Sequence, residues 1–186
     1  MSADTLQPAR SRLARPARRA FAAGFTLIEI MIVVVILGIL AAIAVPQLSS
    51  ATAESRQAML KDELRFLRNQ LLVYRAQHND VPAGYPGGNL AATPDEPTLV
   101  ADLTQYTDAS GNISAVGSST FKYPPYLSKM PENPITKKDG VWVVTGAALP
   151  AADQNQPYGW IYAPEVNKLA ANLEGTDLNN VPYNTY

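Results

Sequence analysis

The sequence predicts an α+β chain: one long N-terminal helix, apolar in its first half and amphipathic in its second, packed on a small antiparallel sheet. Three observations carry this. The stretch from Phe25 to Val45 is apolar and holds a single charge, Glu29. Beyond it, Leu60, Leu64, Leu67, Leu71 and Tyr74 recur at alternating spacings of four and three, which lays one apolar stripe along a helix. Near the C-terminus, Val141–Val144 and Gly159–Tyr162 are rich in β-branched and aromatic residues and bounded by glycine or proline, as strands are; Lys168–Leu173 is a third candidate.

Residues 1–24 read as a removable leader. They carry five arginines (Arg10, Arg12, Arg15, Arg18, Arg19) against one acid, Asp4, so this head is about +4 and the remainder about −5. A basic head before an apolar run is held on the cytoplasmic side of a membrane. Residues 25–45 number 21, close to the ~20 that cross a bilayer core as a helix. Pro46 lacks a backbone donor and is expected to kink the helix. Residues 46–79 continue it, with Lys61, Asp62, Arg65 and Arg68 falling between the stripe positions. Residues 80–186 form the globular α+β region. Within it, 79–92 are turn-rich. Thr93-Pro94-Asp95-Glu96 resembles a capping box with proline at the first helical position, opening a short helix along Leu99, Val100, Leu103 and Tyr106. Residues 107–120 read as a Ser/Gly/Asn-rich loop, and no internal repeat is evident.

Composition excludes several classes of chemistry. There are no cysteines, hence no disulfide or thiolate site. The formal net charge of −1 does not suggest nucleic-acid binding. His78 is the only histidine, which disfavours a histidine triad or zinc cluster; at a helix end it reads as a capping cation. No P-loop, nucleophile elbow or dinucleotide fingerprint occurs, and no enzymatic activity is expected.

Gly24-Phe25-Thr26-Leu27-Ile28-Glu29 closely resembles the processing site of type IV prepilins and type II secretion pseudopilins. The resemblance implies that a membrane-embedded prepilin peptidase cuts after Gly24 and methylates the new N-terminus, Phe25. The residues suit that chemistry. Glycine leaves the backbone unobstructed for a protease, and the preceding arginines keep the junction at the cytoplasmic face. Glu29 lies one turn into the apolar helix, where an ionised group costs ~2.5 kcal/mol or more unless paired. On the family pattern, its partner is the α-amino group of Phe25 on a neighbouring copy, which would set the filament register.

The C-terminal region points to one branch. Pro125-Tyr126-Leu127, then Lys129-Met130-Pro131-Glu132-Asn133-Pro134, then Tyr158-Gly159-Trp160-Ile161-Tyr162 resemble the major, G-type pseudopilin of type II secretion. Two features depart from it: Glu132-Asn133 stands where an Asp is common, and residues 135–157 form a long insertion. The resemblance implies a structural subunit in the bacterial inner membrane, single-pass, N-terminus cytoplasmic and C-terminal domain periplasmic. Its implied partners are copies of itself, the prepilin peptidase, an inner-membrane assembly platform and minor pilins, with no nucleic acid. It also raises calcium, bound through oxygen ligands in a C-terminal loop, with Asp153, Glu174 and Asp177 as candidates. Two other readings stand beside it. One is a major type IV pilin for adhesion, twitching motility or DNA uptake. The other is a Sec- or Tat-exported soluble protein cleaved after Ala44, where Ala42-Ile43-Ala44 fits the small-x-small rule.

Overall fold

The structure, a computed structural model, describes residues 24–186. The leader expected over 1–24 therefore lies outside the described residues, Gly24 excepted. The first helix, α1, spans Leu27–Gln77 and is helical through Pro46. At that proline the chain divides into two compact units, residues 1–45 and 46–186. In the first unit, the α1 residues up to Val45 are exposed throughout.

The second unit is built on the stripe. Leu60, Leu64, Leu67, Leu71 and Tyr74 are all buried, as their spacing predicts. They pack in one core with Leu99 and Leu103 of α2 (Glu96–Thr104), Trp160 and Tyr162 of β4 (Tyr158–Ala163) and Leu169 and Ala171 of β5 (Lys168–Ala171). Burial of each such leucine contributes about 1.5–3 kcal/mol. The helix stops where Asn79 and Asp80 turn left-handed, at φ 54° and 66°, a conformation Asn and Asp tolerate better than most residues. The Asp80 N–H caps the Arg75 carbonyl at 3.0 Å. The Arg75 guanidinium in turn grips both Asp80 carboxylate oxygens.

The short helix forms, but its cap differs from the expected one. Asp95, not Thr93, is the N-cap, its side chain accepting the Thr98 N–H at 2.8 Å. Pro97 then falls in the first turn, where the missing N–H has no intrahelical partner to lose. Tyr106 leaves the helix to start β1 (Tyr106–Thr107), which pairs antiparallel with β2 (Ile113–Ser114). The stretch read as a plain loop is thus a small hairpin. Asp108 closes it, accepting the backbone N–H groups of Ser110 and Asn112 and the Asn112 amide.

The three C-terminal strands form where expected, in the order β3–β4–β5, with β3 spanning Gly140–Val143. β4 and β5 are antiparallel, joined by a tight turn through Asn167 in the left-handed region. The β3–β4 pair corrects the all-antiparallel expectation: it is parallel. The physical reason is the long connection over 144–157, enough chain to carry β3 back to the end from which β4 starts.

Two titratable groups sit in this interior. His78 is 1 % exposed and stacks on Tyr74 at 3.8 Å between ring centroids. Its Nδ1 lies 2.7 Å from the Tyr74 carbonyl, so Nδ1–H donates there and Nε2 accepts the Thr107 hydroxyl at 2.9 Å. Burial lowers its pKa. The reading of His78 as a capping cation is therefore corrected: it serves a helix-end carbonyl, but as a buried neutral ring. Asp102 is fully buried, its Oδ2 accepting the Gly84 N–H at 2.8 Å while Oδ1 makes no hydrogen bond among the described residues. Burial pushes this carboxyl up to about 7, against the Gly84 N–H and the neighbouring Tyr74 hydroxyl, which favour the charged form.

Candidate functional site

The junction is open. Gly24 and Phe25 are exposed, Phe25 at 82 %, and a Cβ on Gly24 would meet nothing within 4 Å. Nothing in the described fold requires glycine there, which leaves an unobstructed backbone as its rationale. Directly after it the helix is capped by its own side chains. The Glu29 N–H donates to Thr26 Oγ1 at 3.2 Å, while the Thr26 N–H and hydroxyl both donate to Glu29 Oε2 at 2.8 Å. This is a reciprocal capping box with Thr26 as N-cap. The sequence reading missed it, although Thr-x-x-Glu ahead of an apolar run is its signature. Cleavage after Gly24 would leave it whole, because the Thr26 N–H belongs to the peptide bond with Phe25. The recorded bonds all fall on Oε2, so Oε1 still offers lone pairs to a further donor.

The C-terminal blocks prove structural. Asn133 is fully buried. Its amide donates to the Gly159 carbonyl at 3.0 Å, while its oxygen accepts the Ile135 and Thr136 N–H groups. The Trp160 indole donates to the Pro131 carbonyl at 2.9 Å. The Pro131–Pro134 segment is thereby stapled to β4. An Asp at 133 could not donate to Gly159, so the departure from the family residue matches the local bonding.

The calcium candidates are not brought together. Among the described residues no group of three or more Asp, Glu or His side chains is placed to hold a metal. The Asp153 carboxylate accepts the Asn155 N–H and the Gln156 amide. Glu174 is exposed. Asp177 is buried, and its carboxylate accepts the N–H groups of Asn179 and Val181 and faces the Lys61 ammonium. The Asp153 and Asp177 carboxylates face hydrogen-bond donors, which is the environment of a held anion, and the donor set does not fit a calcium ion.

Comparison with known proteins bears on the junction first. A model of the prokaryotic N-terminal methylation motif matches residues 19–45. The type II secretion system core protein G of Aeromonas hydrophila is 31 % identical over 111 residues, which are 60 % of this chain and 66 % of that protein. The type IV major fimbrial protein FimA of Dichelobacter nodosus is 35 % identical over 104 residues, 54 % of this chain and 62 % of its own length.

The chain belongs to the type IV pilin-like family.

This pilin-like chain spans just under two thirds of the length of those two relatives. The type IV major pilin protein PilA of Myxococcus xanthus is 57 % identical over 44 residues, 24 % of this chain and 20 % of that protein. No solved structure matches. The α+β architecture with its long N-terminal helix agrees with a pilin-like fold. Its α1 is also long and apolar enough near the N-terminus to cross a membrane.

Proposed function

We propose that the chain is a structural subunit of a type II secretion pseudopilus. Its precursor inserts in the bacterial inner membrane, leader in the cytoplasm and residues 80–186 in the periplasm. Prepilin peptidase cuts between Gly24 and Phe25 and methylates Phe25. Copies then polymerise through the apolar half of α1, on an assembly platform with minor pilins, to drive protein secretion; the role is mechanical, not catalytic.

The observation that carries this is the uncovered apolar stem. From Phe25 to Val45 the large apolar side chains stand 50–82 % exposed, a surface that needs lipid or other helices. Gly38 supports the second partner. A glycine inside a helix costs about 1 kcal/mol relative to alanine, yet a Cβ at Gly38 would meet nothing within 4 Å. Close approach of another helix gives that glycine a use. Glu29 supports a staggered bundle, since Oε1 can take the freed amine of a neighbouring Phe25. Glu29→Ala should leave insertion and cleavage intact and reduce assembly; normal filament yield in that variant refutes the pairing.

The match to core protein G and the Pro125-Tyr126-Leu127 block favour the pseudopilin branch. The matches to FimA and PilA favour a second reading, a surface type IV pilin. Deleting the gene separates them: a pseudopilin loss strands cargo in the periplasm, a pilin loss removes surface fibres. Release as a soluble protein after Ala44 is not favoured, because α1 continues helical across that point and the matched motif runs up to it.

A further inference from the structure

We infer that the C-terminal segment 174–186 is fastened by an internal cation, the Lys61 ammonium, and takes no calcium. This goes beyond the filament role and does not depend on it. The relevant groups sit on one face of α1: Gln57, Lys61 and Arg68 fall within about 40° of one another at 100° per residue. Gln57 donates to the Tyr183 hydroxyl at 3.0 Å. Lys61 Nζ lies 3.4 Å from Asp177 Oδ2 and 4.3 Å from the centre of the Tyr186 ring. Arg68 donates to the Leu169 carbonyl from Nε at 3.0 Å and from Nη2 at 2.7 Å, and Nη2 also donates to the Tyr186 carbonyl.

Asp177 is the counter-charge. Its side chain is fully shielded from solvent while the Lys61 side chain is 41 % exposed. Its Oδ1 accepts the Asn179 and Val181 N–H groups, both at 2.8 Å, closing the 177–181 turn in which Asn180 takes a positive φ. A calcium ion needs six to eight oxygen ligands. Here one carboxylate oxygen is taken by two N–H groups and the other faces a positive charge, so an incoming cation would be repelled by Lys61 and deprived of lone pairs. The Tyr186 hydroxyl beside it, the turn N–H groups and Lys61 hold the Asp177 carboxyl down to about 2, so it stays charged through the neutral range.

The test is hydrogen exchange and thermal unfolding of the full chain in detergent micelles, with millimolar calcium chloride or with EGTA. The wild-type midpoint and the protection of residues 175–186 should be the same in both. Lys61→Met removes the charge and keeps the stem; amides of 175–186 should exchange roughly five- to tenfold faster, the combined worth of a half-exposed ion pair and a cation–π contact. Lys61→Arg should restore protection. A midpoint several degrees higher in calcium, with the rise lost in Asp177→Asn, overturns the inference in favour of a metal site. Unchanged exchange in Lys61→Met overturns it in favour of packing alone.

Discussion

Asp102→Asn should stabilise the domain at neutral to alkaline pH and flatten its pH dependence. The carboxyl is fully buried, with one oxygen bonded to the Gly84 N–H and the other without a partner. In the folded chain it titrates near 7; unfolded it returns to about 3.8. Because the folded value is raised, the folded state holds a proton that the unfolded state has released between those values. The stability that this carboxyl contributes is therefore fully present below about pH 4, falls as pH rises, and is lost above pH 7. A rise from 3.8 to about 7 corresponds to an upper bound on the order of 4 kcal/mol. Asparagine keeps the shape and still accepts the Gly84 N–H, but carries no charge. At pH 8 the variant should be more stable by roughly 1–4 kcal/mol, a midpoint rise of at least about 2–4 °C for a domain of this size. At pH 4 the two proteins should nearly coincide. Thermal unfolding followed by tryptophan fluorescence, at steps from pH 4 to 8, reads the difference directly. A variant less stable than wild type at pH 8, or a difference that does not change with pH, refutes the buried-acid reasoning.

Other perturbations separate the remaining claims. With Asp102 neutralised, the residual pH dependence should come from His78: its lowered folded pKa means that the unfolded state gains a proton first, so stability should fall as pH drops below about 6.5; an Asp102→Asn protein equally stable at pH 7 and 5 contradicts a buried neutral ring. Glu29→Gln should keep a helix cap yet lose the charge, whereas Thr26→Ala should lose about 1 kcal/mol of capping and keep the charge. If register depends on the charge, filament yield falls much further in Glu29→Gln, as quantified by sedimentation of sheared fibres. A Cβ on Gly159 would collide with the Lys138 carbonyl backbone, so Gly159→Ala should destabilise by ~2 kcal/mol or more in denaturant titration. Asn133→Asp should cost ~1–3 kcal/mol by removing the donor to the Gly159 carbonyl.

Legibility followed physical range. The apolar run and the stripe of Leu60 to Tyr74 depend on short periodicities, and the structure places those residues as read. The strand positions around Val141 and Trp160 followed from residue type and flanking breakers. The parallel pairing of β3 and β4 did not, since partner direction depends on where a fourteen-residue connection travels and no local pattern encodes it. The β1–β2 hairpin hid because its strands are two residues each, too short to show an alternating pattern, so its turn, which holds Gly111 at a positive φ and is closed by Asp108, read as loop. His78 misled for a related reason: composition places a lone histidine at a helix end, but only the fold lays Tyr74 and Thr107 against it. At the junction, the N-terminal methylation motif was legible in the run from Gly24 to Glu29. The Thr26 cap was equally written in the sequence, as Thr-x-x-Glu, but the same Glu29 carboxylate also suits an external cation. The acids Asp153, Glu174 and Asp177 looked alike as letters; only the structure shows Asp177 turned onto Lys61.

The central claim is that the apolar stem is retained and begins at Phe25. Intact mass and N-terminal peptide mass of the protein purified from inner membranes test it most directly. The mature chain should begin at Phe25 carrying one added methyl group and should sediment with membranes or fibres. A chain beginning at Val45, or one recovered free in the periplasm, contradicts the account.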